Sequence, residues 1–186
     1  MKQSMRTLTS SASNDWCTPP DWIALVREVL GDIDLDPASN AIANQHLVKA
    51  KHYYADSGLS LQWKARTIFL NPPYQKIGNE SGAGIWLEKL LHEYQSGHCD
   101  EGIALTKTVP GYGWFDKLFH GGWPGPCCIT KGLISFVHVA WVNSDGTLTI
   151  PKGKSNKSKS ASTFWYVGHN DKLFGEVFSR VGMVIV

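Results

Sequence analysis

Residues 69–74 read Phe-Leu-Asn-Pro-Pro-Tyr, and the tetrapeptide Asn71-Pro72-Pro73-Tyr74 gathers groups suited to a planar amine. The Asn71 side-chain oxygen and the Pro72 carbonyl can both accept hydrogen bonds from one NH2 group. Tyr74 can stack on the ring that bears it. Two acceptors on one amino nitrogen favour its pyramidal form and stabilise positive charge that develops there, which is what methylation of an exocyclic amine requires. The same four residues could also do no more than end a strand, so their place in the chain decides between the two.

Several other groups could serve such chemistry. Asp34-Leu35-Asp36-Pro37-Ala38-Ser39 reads as a strand ending in acids and followed by a helix start. A carboxylate there can bind ribose hydroxyls or the ammonium of a cofactor's amino-acid part, and the helix N-terminus behind it favours an anionic group. Trp16-Cys17-Thr18-Pro19-Pro20 offers the Thr18 hydroxyl either as a helix cap or as a cofactor contact. Asp56 is either part of a surface turn or an acceptor for an adenine amino group. Lys152, Lys154, Lys157 and Lys159 place four positive charges in eight residues with no acid among them. That run is a solvated loop or, beside a DNA-modifying site, a clamp on the phosphate backbone.

The elements that must position these groups follow from the apolar pattern. Thr67-Ile68-Phe69-Leu70 predicts a buried strand immediately before Asn71. Two prolines cannot continue a central strand, so the chain leaves the sheet stiffly at its carboxyl edge, where open α/β sheets bind ligands. Trp22, Leu25, Val26, Val29 and Leu30 predict a helix stopped by Gly31. A strand over 33–36 and a short helix capped by Ser39 follow, then a poorly alternating strand over 48–54. Residues 78–84 read as a glycine-containing loop, with Gly82-Ala83-Gly84 too short for a phosphate loop. It leads into a helix carrying Ile85, Leu87, Leu90, Leu91 and Tyr94. Strands are predicted over 102–106, 127–131, 133–142 (one or two), 163–167 and 183–186, and helices over 112–119 and 171–180. Residues 143–160 form a loop or ribbon tip. Alternating strands and helices predict an α/β fold with antiparallel strands towards the C-terminus.

Composition bounds the rest. With 42% hydrophobic and 18% charged residues in 186, the chain is globular and long enough for one well-filled domain. Residues 1–14 are rich in Ser and Thr and predict a flexible lead-in, leaving 15–186 as the folded domain. They lack the apolar centre of a signal peptide, and no run approaches a membrane span, so a cytosolic protein is expected. Cys17, Cys99, Cys127 and Cys128 show neither a disulfide framework nor metal-ligand spacing, and the seven histidines form no metal motif. No metal is expected. A net charge of +2 permits a nucleic-acid partner without requiring one. Most of the eight tryptophans should be core, with a few left to line a base pocket.

Taken in order, Trp16-x-Thr18-Pro19, Asp34 to Ser39, Tyr53-Tyr54 with Gly58-Leu59 and Trp63, and Phe69 to Tyr74 resemble phage-type DNA N-6-adenine methyltransferases. The similarity is continuous over about residues 15–74 and weaker through Trp114-Phe115, Lys131 to Phe136 and the closing strand–helix–strand. The resemblance implies a Rossmann-like methyltransferase, with a mixed, mostly parallel sheet and helices on both faces. It implies S-adenosylmethionine as cofactor, held around Trp16, Thr18, Asp34, Asp36, Pro37, Ala38, Ser39 and Asp56. It implies Asn71, Pro72, Pro73 and Tyr74 as the catalytic turn, adenine in DNA as substrate, and Lys152, Lys154, Lys157 and Lys159 as DNA contacts. It also implies a phage- or prophage-encoded protein in the cytoplasm of a bacterial host, with a part in restriction–modification. Two departures stand out. The stretch between Asp36 and Asn71 leaves no second-strand acid for a cofactor ribose, and without a separate recognition domain, specificity falls to loops such as 77–84 and 143–160. The same tetrapeptide also serves cytosine, RNA bases and protein glutamine, and an inactive DNA-binding module would carry the same surface.

Overall fold

The computed structural model describes residues 15–152 and 157–186. A seven-stranded sheet has the order β3(His52–Tyr53), β2(Leu35–Asp36), β4(Thr67–Leu70), β5(Glu101–Lys107), β8(Ser162–Val167), β6(Cys127–Thr130), β9(Gly182–Ile185). A separate two-stranded ribbon pairs β1(Trp16–Cys17) antiparallel with β7(Val137–His138). Pairings among β3, β2, β4 and β5 are parallel, whereas β5–β8, β8–β6 and β6–β9 are antiparallel. The sheet is therefore evenly mixed by pairing, and mostly parallel character holds only for the β3–β5 half. Reversal of β8 alone makes two of the antiparallel pairings, since it lies between β5 and β6.

Period-two alternation divides the sheet's side chains between two cores. Phe69, Ile103, Leu105, Phe164, Tyr166 and Cys128 face α1(Pro20–Leu30) and α5(Asp171–Phe178). Ile68, Leu70, Ala104, Trp165, Val167 and Cys127 face α3(Gly82–Gln95) and α4(Gly113–Lys117) on the other side. Both faces are covered, as expected for central strands made of continuous apolar runs. Two buried tryptophans find acceptors: Trp165 Nε1 donates to Thr106 Oγ1 at 2.8 Å, and Trp123 Nε1 to the Tyr166 carbonyl at 2.7 Å.

Several local expectations are corrected. Ser39 is not the cap of the short helix α2(Ala41–Ala43); Asn40 is, with its side chain accepting from the Ala43 N–H at 2.8 Å. Gly82-Ala83-Gly84 is no loop but the buried first turn of α3. Gly82 is needed there because a Cβ would collide with the Gln75 carbonyl and lie 3.1 Å from that of Pro73. The span 133–142 contributes only β7, followed by a tight turn at Val139–Trp141. The expected lead-in, residues 1–14, lies outside the described residues.

The topology places one edge of the sheet apart from the rest. From β2 the chain moves outward to β3, and from β4 it crosses through α3 to β5 on the opposite side. The crevice between the carboxyl ends of β2 and β4 is thus a topological switch point, where such sheets hold ligands. Because β8 is antiparallel to β5 and Lys107 pairs with Ser162, the residues before β8 arrive at this same edge. The ends of β6 and β8 are joined here by the segment 131–161, which folds back to pair with β1.

Candidate active site

A cavity of about 420 Å³ opens at this edge, within the range of roughly 300–1,000 Å³ usual for small-molecule sites. Strand ends supply its floor: Asp36 from β2, Asn71 after β4 and Lys107 from β5. Trp16, Cys17 and Thr18 form one wall, and Phe136 with Lys157, Ser158 and Lys159 another. The second wall is tied down by an antiparallel bridge from Ser135 to Lys157 and by the Ser158 N–H donating to the Ile134 carbonyl at 2.8 Å.

The chain after Leu70 behaves as two prolines dictate. Asn71 Nδ2 donates to the Trp16 carbonyl at 3.3 Å, which engages the donor side of the amide and turns Oδ1 into an available acceptor. Asn71 and the Pro72 carbonyl face the cavity together at this edge. Burial raises the Tyr74 pKa above the usual phenol range, with the nearby Lys107 backbone working against the rise, so the hydroxyl stays protonated. The Lys107 ammonium stands 4.5 Å from the centre of the Tyr74 ring.

On the β2 side the groups are more deeply enclosed. Asp36 is 3% exposed, and burial pushes its pKa up to about 7. The Ala38 N–H, which donates to Asp36 Oδ1 at 3.2 Å, works against that rise. Ser39 Oγ makes no well-aligned hydrogen bond but lies close enough to favour the carboxylate. Thr18 does not cap α1, where Pro19 holds the cap position and offers no side-chain bond. Its hydroxyl is instead buried on the cavity wall, without a hydrogen-bond partner among the described residues. A buried hydroxyl left unpaired costs about 1–3 kcal/mol, and a ligand in the cavity would relieve it. Cys17 is held neutral, its pKa pushed up to about 12 by burial, so it offers no thiolate nucleophile.

The structure brings together Trp16, Thr18, Asp36, Ala38, Ser39, Asn71, Pro72, Pro73, Tyr74, Lys157 and Lys159. Pro37 is buried in the same turn without lining the cavity, its carbonyl against Gly58, whose missing Cβ makes room for it. Asp34 does not join the cavity: Lys51 holds it at 2.7 Å and Arg66 at 3.5 Å. These partners outweigh the opposing effect of burial and keep its pKa below the usual carboxylate value. Asp56 is exposed away from the cavity, and so is Lys152. Lys154 lies outside the described residues. Sequence reasoning missed Lys107, Phe136, Asn40 and Ser158. Lys107 carried one signal, as the charged residue ending an apolar strand that runs parallel to β4.

No group of three or more potential metal ligands occurs among the described residues. No helix among them is long and apolar enough to cross a membrane. A mixed α/β sheet with a buried acid, an unpaired hydroxyl and the Asn71 turn gathered at its switch point defines the class: an α/β protein with a ligand-sized cavity at the carboxyl edge of its sheet. A family model described as DNA N-6-adenine-methyltransferase (Dam) matches residues 6–164, and the chain belongs to that family. Membership supports methyltransferase activity on adenine in DNA. No curated protein and no solved structure matched the chain.

Proposed function

We propose that this protein transfers a methyl group from S-adenosylmethionine to the exocyclic amino group of adenine at specific sites in DNA. Residues 15–186 would act as one Rossmann-like methyltransferase domain, in the cytoplasm of a bacterial host and encoded by a phage or prophage. The observation that carries the reading is the Asn71 amide, whose donor side is fixed by the Trp16 carbonyl so that Oδ1 is left to accept.

The cavity fits the cofactor on three counts: its size, the orphaned Thr18 hydroxyl, and a buried carboxyl at Asp36 suited to a cationic group. Trp16, Thr18 and the turn from Asp36 to Ser39 would hold it. S-adenosylmethionine, when bound, supplies an electrophilic methyl group on a sulfonium. Adenine within a duplex is out of reach, so the base would have to leave the stack and enter the cavity. Tyr74 would stack on it, while Asn71 Oδ1 and the Pro72 carbonyl accept its amino hydrogens. These acceptors pull the nitrogen lone pair out of conjugation and stabilise the charge that appears on nitrogen during attack. No covalent enzyme intermediate is required, in keeping with a neutral Cys17. Pro73 stiffens the turn against the first turn of α3. Lys157 and Lys159 at the cavity rim, together with Lys152 and Lys154 of the same run, would meet phosphates and make binding salt-dependent.

Losing the Asn71 acceptor should cost about 3 kcal/mol in the transition state, roughly a hundredfold in rate. The test is mass spectrometry of nucleosides from plasmid DNA incubated with S-adenosylmethionine and either native protein or Asn71→Ala. Methyladenine from the native protein alone supports the reaction and the role of Asn71. Methylcytosine would keep the mechanism and change the base. Cofactor binding without DNA methylation would point to an amine in RNA or protein, and absence of cofactor binding to an inactive DNA-binding module.

A further inference from the structure

Lys107 ends β5 at the cavity floor, and the argument for it rests on the proposed methylation of adenine. Its position is unusual for a strand that is otherwise buried from Gly102 to Thr106. Among the described residues no carboxylate lies within ion-pair distance of it. Its charge is directed instead at the ring of Tyr74, 4.5 Å from the centre. The Lys107 backbone also lies beside the Tyr74 hydroxyl, so the two residues are neighbours through backbone and side chain alike. Both line the cavity, with Lys157 and Lys159 on its rim.

A ring that carries a cation on one face can stack a base only on the other face or after the cation has moved. Lys107 is exposed, and a solvated ammonium over an aromatic ring is held weakly, whereas a charge-assisted bond to phosphate is one of the stronger contacts a lysine makes. Each nucleotide that brings a base to the cavity also brings its phosphate. Lysine suits an exchange between the two, being a compact charge on a flexible four-carbon stem. We propose that Lys107 is a transferable cation, covering Tyr74 in the free protein and moving to a phosphate flanking the target nucleotide as adenine stacks on the exposed ring. The exchange makes the stacking face available only when a nucleotide backbone is present to receive the charge. It would discriminate DNA from free adenine or adenosine, which have a base but no phosphate.

Lys107→Met and Lys107→Arg separate this from simple support of Tyr74. Duplex carrying the methylation site mapped on plasmid DNA would be titrated with each protein over a range of salt. Loss of one phosphate contact should make the slope of log affinity against log salt shallower by about 0.9 for Lys107→Met, and Lys107→Arg should restore it. With 2-aminopurine in place of the target adenine, stacking on Tyr74 should quench fluorescence in Lys107→Met at least as fully as in native protein at saturating DNA. An unchanged slope, or a slope that falls only with loss of quenching, would reduce Lys107 to a prop for Tyr74 and overturn the proposal. Lys107→Leu, read the same way, serves if the methionine variant fails to fold. Native protein that methylates no adenine would sink the functional reading itself, whereas an unchanged slope in an active protein sinks only the exchange.

Discussion

Asp36→Asn should make the protein more stable and, at the same time, unable to hold its cofactor. Asp36 is 3% exposed, and burial raises its carboxyl from an ordinary 3.8 to about 7. An acid raised on folding is protonated in the native state over a range where the unfolded chain has already lost the proton. Stability is therefore highest below the ordinary carboxylate range, falls as pH rises from about 4 to about 7, and is flat above. The difference of about 3 units, at 1.36 kcal/mol each, makes the buried charge cost about 4 kcal/mol above neutrality. Asparagine removes that charge and keeps an oxygen for the Ala38 N–H. At about pH 8 the variant should gain up to about 4 kcal/mol, on the order of 10 °C in melting temperature for a chain of this length. At about pH 4, where the native carboxyl keeps its proton and the unfolded one has lost it only in part, the gain should shrink below about 1 kcal/mol.

Thermal unfolding of the cofactor-free proteins at both pH values measures the gain, and isothermal titration with S-adenosylmethionine measures the loss. Native binding should tighten as pH rises through about 7, because only the carboxylate can pair with a cationic ligand. A gain equal at both pH values, or destabilisation at pH 8, would show that Asp36 is not a costly buried acid. Native affinity in Asp36→Asn would show that it is not the counter-ion. A site residue kept at a loss of stability fits the trade-off between stability and activity that functional sites show.

Thr18→Val should lower cofactor affinity by about tenfold while leaving the free protein as stable or slightly more so, because the hydroxyl has no partner to lose; a weaker free protein would mean that the hydroxyl is satisfied in some other way. Gly82→Ala should destabilise by about 1–3 kcal/mol, as the new methyl is driven into the Gln75 carbonyl. Because that carbonyl directly follows the proposed catalytic turn at Asn71 to Tyr74, kcat should fall further than cofactor affinity, measured on the folded fraction. Neutralising Lys157 and Lys159 together should make the salt slope of DNA binding shallower by about 1.8, and all four lysines of the run by about 3.6 if each meets a phosphate. An unchanged slope would return the run to ordinary surface.

The parts of the site that could be read from the chain are those whose meaning is local. Ile68 to Leu70 must be a buried strand, and Pro72-Pro73 must end it, whatever surrounds them; the turn at Asn71 follows without knowledge of any partner. Asp34 and Asp36 show where local reading stops. Two residues apart, they are equal as carboxylates in the sequence. Only the sheet separates them: Asp36 reaches the carboxyl edge, whereas Asp34 falls short of it and is taken by Lys51 and Arg66. Gly82 to Gly84 read as a loop because glycine is a poor helix former, yet the close passage of the Gln75 and Pro73 carbonyls requires glycine in the first turn of α3. Lys107 and Phe136 depend on pairings across long stretches of chain. Lys107 becomes a cavity residue because β5 lies beside β4, and Phe136 because Trp16 pairs with His138. That last pairing also governs the chemistry. It fixes the strand whose Trp16 carbonyl orients the Asn71 amide, so a contact spanning 55 residues decides which side of the amide is engaged. The turn at Asn71 is thus written locally, but the orientation of its amide is set by the fold.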